Sequence, residues 1–297
     1  MAISVRTRRL LSYALDWSMA IVIALFSNFY LQRFQQMPDF DLTDTSIQYS
    51  VRKQTIPNLL LVLLLTLPYI LIVVGHFVFS YKKWWDLHSA LLGLTLGFSV
   101  SGTLSQIVRI SAGRPRPDFI ARCNPSPDIV NAPVFGLANV TICQETDFTF
   151  LQDGMRSFFS GHAILSAFGF GYLSLYLAGK LHIFDSNAHT YKMWIVATPI
   201  VLAIWICETR VADRRHHWQD VTTGFFLGIL IAYVAYRQFF PHLADQDSHL
   251  CYPPRFEEND RRKGAVSQDN REWFPLSGLE ATPFQPEHDR RENDNIV

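Results

Sequence analysis

Three short segments of the sequence, each beside a long apolar run, contain residues suited to phosphate chemistry. They are residues 109–118, 157–162 and 209–220. The first and third contain Arg109, Arg116 and Arg210, whose planar guanidinium groups match the geometry of phosphate oxygens. The second contains Ser160 and Gly161 at a predicted helix start, where free backbone N–H groups and the helix dipole bind anions. Together the segments predict a phosphate-binding site.

Two histidines in these segments supply the other groups that phosphoryl transfer requires. His216 and Asp220 are four residues apart, so that on a helix they would share one face. A carboxylate so placed accepts a hydrogen bond from one imidazole nitrogen and leaves the other free to attack phosphorus. His162 supplies a second imidazole, which can protonate the leaving oxygen. His217 has no carboxylate four residues later and is interpreted as neighbouring structure, so the pattern predicts covalent catalysis through His216.

The elements that must position these residues are six long apolar runs. They lie at about 12–33, 57–80, 87–108, 160–181, 191–208 and 218–240. Runs of this length predict membrane-spanning helices, and a soluble helical protein with one buried helix would not explain six of them. We therefore expect an all-α, multi-pass membrane protein. Its formal net charge of zero gives no electrostatic argument for nucleic-acid binding.

The number of spans fixes which segments share a side of the membrane. Six spans place both termini on one side and all three phosphate-site segments on the other. Arg6, Arg8 and Arg9 before the first span predict a cytosolic N-terminus, and that first run is interpreted as an uncleaved anchor. The opposite side has more basic residues, but many belong to the predicted site. The sequon at Asn139 also lies there, so we expect cytosolic termini and a lumenal or extracellular site in a membrane that stays unspecified.

The remaining features concern the cysteines and the C-terminus. Cys123 and Cys143 lie in one loop on the predicted non-cytosolic side, where they either form a disulfide or remain free thiols. From residue 245 the chain is polar, with scattered prolines and few large aliphatic residues. This composition predicts a membrane domain at 1–244 followed by a disordered cytosolic tail at 245–297.

The three segments resemble the motifs of the type 2 phosphatidic acid phosphatase superfamily, in its membrane lipid phosphate phosphatase branch. The family motifs are Lys-x6-Arg-Pro, Pro-Ser-Gly-His and Ser-Arg-x5-His-x3-Asp, and the resemblance covers about residues 12–240. Three positions differ, with Arg109 in place of lysine, Phe159 in place of proline and Thr209 in place of serine. Arg109 keeps the charge but has a different reach, and none of these changes removes a reacting group.

The resemblance implies a role for each residue that matches a motif. His216 would be the nucleophile that forms a phosphohistidine, Asp220 would orient it, and His162 would protonate the leaving group. The residues that would hold phosphate oxygens are Arg109, Arg116, Ser160, Gly161 and Arg210. The family requires neither a metal ion nor a cofactor for this reaction.

The resemblance also implies the class of substrate. The sequence resembles fungal diacylglycerol pyrophosphate and phosphatidate phosphatases, so the expected substrates are phosphatidate, lysophosphatidate and diacylglycerol pyrophosphate. A sphingoid or isoprenoid phosphate phosphatase is an alternative, as is a non-enzymatic lipid-binding member, although the latter would be expected to lose His162 or His216. A six-span transporter would place its charges at mid-membrane, and a soluble vanadate haloperoxidase would lack the spans. The oligomeric state stays open.

Overall fold

The computed structural model describes residues 5–78, 84–133, 136–185 and 189–255, and within these ranges the protein is helical. The α-helices are α1 Val5–Phe29, α2 Asn58–Val78, α3 Trp84–Ala112, α4 Phe119–Cys123, α5 Phe148–Gly154, α6 Gly161–Lys180, α7 Thr190–Ala212 and α8 Trp218–Phe239. Short 3-10 helices cover Leu31–Phe34, Thr45–Ile47 and Val140–Ile142. The described part of the chain contains isolated β-bridges but no strand.

Six of these helices, α1, α2, α3, α6, α7 and α8, are long and apolar enough to cross a membrane. The six predicted spans are thereby confirmed, with shifted boundaries. α3 continues to Ala112 and α7 to Ala212, so Arg109 and Arg210 lie in the last turns of helices rather than in the loops after them. The apolar runs end before the helices do, because hydropathy falls at the first charged residue whereas the helical backbone hydrogen bonds continue beyond it. α3 stops where Gly113 adopts a left-handed conformation, with φ of 54°.

Helix α6 lies at the centre of the bundle and packs against α2, α3, α7 and α8. About 78% of its apolar window is buried, whereas the other spans are 17–44% buried. Small residues permit this close packing, as is usual between membrane helices. A Cβ atom at Gly228 of α8 would lie only 2.5 Å from the Ile164 carbonyl oxygen of α6. The close approach brings the start of α8 to the start of α6, where the Ser160 N–H donates to the Asp220 carbonyl at 3.1 Å.

The chain segments on one side of the bundle form a cap, made of residues 30–57, the described parts of 113–160, and 213–217. Phe40 and Ala138 exchange backbone hydrogen bonds of 2.8 Å, and the Thr55 hydroxyl donates to the Asp213 carboxylate at 2.7 Å. A small apolar core lies beneath. Its buried members are Phe40, Ile47, Phe119, Cys123, Ala138, Leu151 and Met155. Cys123 and Cys143 form a disulfide, with Cα atoms 4.5 Å apart, which resolves the choice that the sequence left open.

On the other side of the bundle, the chain after α8 lies against the helix ends as far as Arg255. Lys180 donates to the His249 carbonyl at 2.6 Å, and Trp85 donates to the Tyr252 carbonyl at 2.9 Å. Arg255 forms an ion pair with Asp16 at 2.7 Å. Residues 245–255 of the predicted tail therefore pack on the bundle. The rest of that tail, 256–297, lies outside the described residues.

Candidate active site

A cavity of about 520 Å³ lies between the cap and the ends of the bundle helices. Six of the eight predicted site residues line it. They are Arg109, Arg116, Gly161, His162, Arg210 and His216. The other two, Ser160 and Asp220, are fully buried behind the cavity wall. Residues distant in sequence thus converge on one cavity, in agreement with the prediction that six spans place the three segments on the same side of the membrane.

Arg109 and the first turn of α6 form one end of this cavity. Arg109 donates from Nη2 to the Gln106 side chain one turn earlier on α3. A Cβ atom at Gly161 would lie 3.1 Å from the Arg109 Nη1 atom, so the guanidinium group contacts the helix start directly. Ser160 is the N-cap of α6, and its hydroxyl accepts from the Ala163 N–H. A cationic side chain and a helix N-terminus therefore face the same space, which is favourable for an anion.

Arg116 and Arg210 are both buried and both paired with carboxylates. Arg116 donates to both oxygens of Asp153 at 2.8 and 2.9 Å, and Arg210 donates to Asp213 at 3.0 Å. Burial lowers the pKa of Arg116 to about 10, so it stays protonated at neutral pH. Burial acts to raise the pKa of Asp153, but Arg116 and Arg122 outweigh it and the net pKa is lowered. The pair therefore remains charged.

The His216 imidazole is positioned by a backbone carbonyl. Its Nδ1 atom lies 2.7 Å from the Ser157 carbonyl oxygen, and only 4% of the residue is exposed. Because a carbonyl oxygen only accepts, Nδ1 carries the hydrogen and the lone pair is on Nε2. Burial, followed by the positive charge of Arg116, lowers the pKa of His216 well below its ordinary value. The ring is therefore neutral, which is the form that acts as a nucleophile.

Asp220 does not contact His216, contrary to the pairing predicted from their spacing. Its carboxylate accepts hydrogen bonds from the Ser157 hydroxyl and, at 3.1 Å, from the His217 backbone N–H. It also forms an ion pair with Arg114 at 2.6 Å. The spacing rule fails because α8 begins only after His217, which is its N-cap, so that His216 lies outside the helix. Asp220 instead folds back on that cap in a capping box.

His162, the second residue of α6, contacts the segment that precedes α2. Its Nε2 atom lies 3.2 Å from the Ile56 carbonyl oxygen. By the same reasoning as for His216, this nitrogen carries a hydrogen and Nδ1 is the remaining site for proton transfer. Both histidines of the predicted pair thus face one cavity, each with one nitrogen bound to backbone.

Three residues around the site escaped prediction, namely Asp153, Arg156 and Ser157. Asp153 and Arg156 line the cavity, and Ser157 connects Asp220 with His216. They belong to α5 and to the loop that leads into α6, so no helical spacing relates them to the other site residues. His217, interpreted as neighbouring structure, lies beside Asp220, with its Nδ1 3.3 Å from the carboxylate.

Comparison with known proteins identifies the family. Residues 89–243, more than half of the chain, match the PAP2 superfamily. The chain is 36% identical over 236 residues to lipid phosphate phosphatase 2 of Arabidopsis thaliana, which covers 78% of this chain and 79% of that protein. It is 28% identical over 244 residues to diacylglycerol pyrophosphate phosphatase 1 of Saccharomyces cerevisiae, covering 81% and 82%. No solved structure matches the chain. The resemblance inferred from the three motifs is thus confirmed, and the chain belongs to the PAP2 superfamily.

Proposed function

We propose that this protein is a metal-independent phosphatase that hydrolyses phosphatidate, lysophosphatidate and diacylglycerol pyrophosphate through a phosphohistidine at His216. The observation that carries the proposal is a neutral, buried imidazole with a free Nε2 on the wall of an arginine-lined cavity. Relatives named as lipid phosphate phosphatases and diacylglycerol pyrophosphate phosphatases support the choice of substrates.

In the first step, Nε2 of His216 attacks the phosphorus atom of the substrate. The N–P bond forms as the bond from phosphorus to the leaving oxygen breaks. Arg109, Arg116 and Arg210, with the N–H groups at the start of α6, stabilise the charge on the equatorial oxygens. His162 enters this step as the imidazolium, with Nε2 donating to the Ile56 carbonyl, and it protonates the leaving oxygen from Nδ1 and becomes neutral.

In the second step, water cleaves the phosphohistidine. His162, now without its transferred proton, accepts a proton from the attacking water molecule, and the N–P bond breaks. Inorganic phosphate leaves and His216 returns to its neutral form. No step in this sequence requires a metal ion, so activity is expected to persist with EDTA.

The walls of the cavity favour a lipid over a soluble phosphate ester. Apolar residues from three spans lie next to the arginines. They are Leu61 and Val62 of α2, Phe98 and Gly102 of α3, and Leu165 of α6. Along α3, Phe98, Gly102, Gln106 and Arg109 follow helical spacing and share one face, so the apolar wall leads directly to the phosphate end. A phosphate held at the arginines would leave its acyl chains beside these spans.

Replacing Gly102 with phenylalanine is expected to obstruct the acyl chains while sparing the phosphate site. A Cβ atom at 102 meets no atom within 4 Å and Gly102 lines the cavity, so the added side chain starts in open space beside the acyl-chain wall. We expect kcat/KM for phosphatidate to fall by about tenfold or more, the effect of losing a few apolar contacts. Release of phosphate from a short, water-soluble phosphate ester should change little. Both are measured in detergent micelles with EDTA.

The matched control for this substitution is Val100→Phe. Val100 is on the same helix, 53% exposed and outside the cavity, so the same bulk is added where no substrate is expected. Equal losses with lipid and soluble esters in Gly102→Phe would contradict the assignment of the apolar wall. Absence of phosphate release from all three lipids by the unaltered, folded protein would contradict the proposed function.

We also propose that the cap faces the lumen or the extracellular space and that both termini are cytosolic. The Cys123–Cys143 disulfide lies in the cap, and disulfides persist in oxidising compartments. Asn139 is exposed on the same side of the bundle, where glycosylation would take place.

Protease treatment of sealed microsomes tests this sidedness. An epitope tag placed after residue 297 is expected to be digested without detergent, because the C-terminus would face outward. A glycosidase-sensitive shift that disappears in Asn139→Gln would independently place the cap in the lumen. A tag protected until detergent is added would contradict the proposed orientation.

A further inference from the structure

Arg156 lines the catalytic cavity but belongs to none of the three motifs. It lies between α5 and α6, and its Nε donates to the Gln35 side chain. Within the described ranges its guanidinium group forms no ion pair with a carboxylate, and the buried Nη2 atom has no hydrogen-bond partner. The side chain is thus held in place through Nε while its terminal nitrogens remain available.

The other arginines of the cavity show that this arrangement is selective. Arg116 and Arg210 pair with Asp153 and Asp213. Arg215 lies 3.8 Å from Asp118 and 4.0 Å from Asp153. By contrast, Arg109 and Arg156 are each bound by a neutral glutamine, Gln106 and Gln35 respectively. A partly buried cation without a paired carboxylate is costly, so two of them beside one cavity indicate that a ligand supplies further negative charge.

The cavity contains more arginines than the three motifs provide. Five arginines line it. Three of them pair with Asp153, Asp213 and Asp118, so Arg109 and Arg156 are left without a paired carboxylate among the described residues. A phosphate monoester has a charge of about −2 at most near neutral pH, whereas a diphosphate carries additional charge and additional acceptor oxygens. The three arginines of the motifs are sufficient to surround one phosphate. Arg156 is then left for a second one.

We infer that Arg156 binds the second, lipid-attached phosphate of a lipid diphosphate while the motif residues, Arg109 among them, hold the terminal phosphate. This inference rests on the proposed function and assigns the preference for diphosphates to a particular side chain. It makes Arg156 a specificity-determining residue, because a monophosphate has no group at that position.

The chemistry of the leaving group explains why Arg156 would matter for one substrate class. Nε2 of His216 bonds to the terminal phosphorus, and the bond from that phosphorus to the bridging oxygen breaks. The electron pair stays on the bridging oxygen, which becomes part of a lipid monophosphate, and water then releases the terminal phosphate from His216. Negative charge develops on the leaving phosphate beside Arg156. With a monophosphate the leaving group is an alcohol that His162 protonates, and Arg156 has no charge to stabilise.

The test compares Arg156→Gln with Arg52→Gln, using diacylglycerol pyrophosphate and phosphatidate as substrates. Arg52 is an exposed arginine of the cap outside the cavity, so the control removes the same charge from the same side. In Arg156→Gln, kcat/KM for the diphosphate should fall about ten- to a hundredfold, the effect of losing hydrogen bonds to a charged group, and should change less than about threefold for phosphatidate. Arg156→Lys should restore part of the diphosphate activity.

A binding measurement separates failure of this inference from failure of the proposed function. Inorganic pyrophosphate should raise the thermal unfolding temperature of the detergent-solubilised protein more than inorganic phosphate does, and Arg156→Gln should remove that difference. If the unaltered protein hydrolyses neither lipid, the proposed function fails, and this pyrophosphate difference still decides the inference. Equal losses for both substrates, unchanged kinetics, or a pyrophosphate effect that survives in Arg156→Gln would overturn the role of Arg156.

Discussion

Replacing His216 with alanine is expected to abolish phosphate release from every substrate of this protein while leaving it folded. The reason is that His216 lines the cavity as a neutral imidazole, with Nδ1 fixed by the Ser157 carbonyl and Nε2 free to attack. Removal of a covalent nucleophile lowers kcat by about four to six orders of magnitude in enzymes where it has been isolated. Loss of activity is measured as phosphate release with EDTA present. Retention of the fold is checked by the size-exclusion elution profile of the detergent-solubilised protein.

His217→Ala is the matched comparison, since the two histidines are adjacent and one substitution removes the same group from each. His217 bonds with Asp220 rather than lining the catalytic cavity, so its loss should reduce activity far less. A substrate with radiolabelled terminal phosphate should label the unaltered protein and His217→Ala during turnover. His216→Ala should remain unlabelled. Turnover or labelling in His216→Ala would contradict the phosphohistidine mechanism.

The six spans were predictable because membrane helices leave a strong and local signal. Length and hydropathy identify a segment such as α2, which contains no Asp, Glu, Lys or Arg, without knowledge of any neighbour. The number of spans between them then places Arg109, His162 and His216 on one side of the membrane. Packing of the helices is sufficient to bring them to one cavity. The part of the site built on helix ends therefore follows from composition and spacing.

The connections between these residues were not predictable, because they depend on where the backbone leaves a helix. Pairing of His216 with Asp220 assumes that both are helical, but α8 starts after His217 and the pair is lost. Asp153 and Arg156 reach the cavity from the short helix α5 and the loop after it. Neither segment is long or apolar enough to be recognised in the sequence, and no helical spacing relates them to the motif residues. The packing of residues 245–255 on the bundle was not predicted for a related reason. Hydrogen bonds to backbone carbonyls hold this segment, and the amino-acid composition does not reveal them.

The geometry predicts that Asp220 acts on His216 through Ser157, which makes both of them positioning residues. Asp220 is fully buried and accepts from the Ser157 hydroxyl, and the carbonyl of the same serine holds the imidazole. Asp220→Asn should therefore lower kcat by about ten- to a hundredfold with little change in KM, because the nucleophile is misaligned while the phosphate-binding residues remain in place. Ser157→Ala keeps the carbonyl but removes its anchor to Asp220, and should have a similar though smaller effect.

A double-mutant cycle distinguishes this indirect route from direct pairing. If Asp220 acts through Ser157, the double variant should be no slower than Asp220→Asn alone, and the coupling energy should be about 1–3 kcal/mol, as for residues in one network. If Asp220 instead contacts His216 directly in the working enzyme, Ser157→Ala should be nearly silent. Additive losses would show two independent effects. Asp220 also pairs with Arg114, so the folded state of each variant is checked by thermal unfolding. Activity that is restored by Asp220→Glu but not by added salt would separate positioning from simple loss of charge.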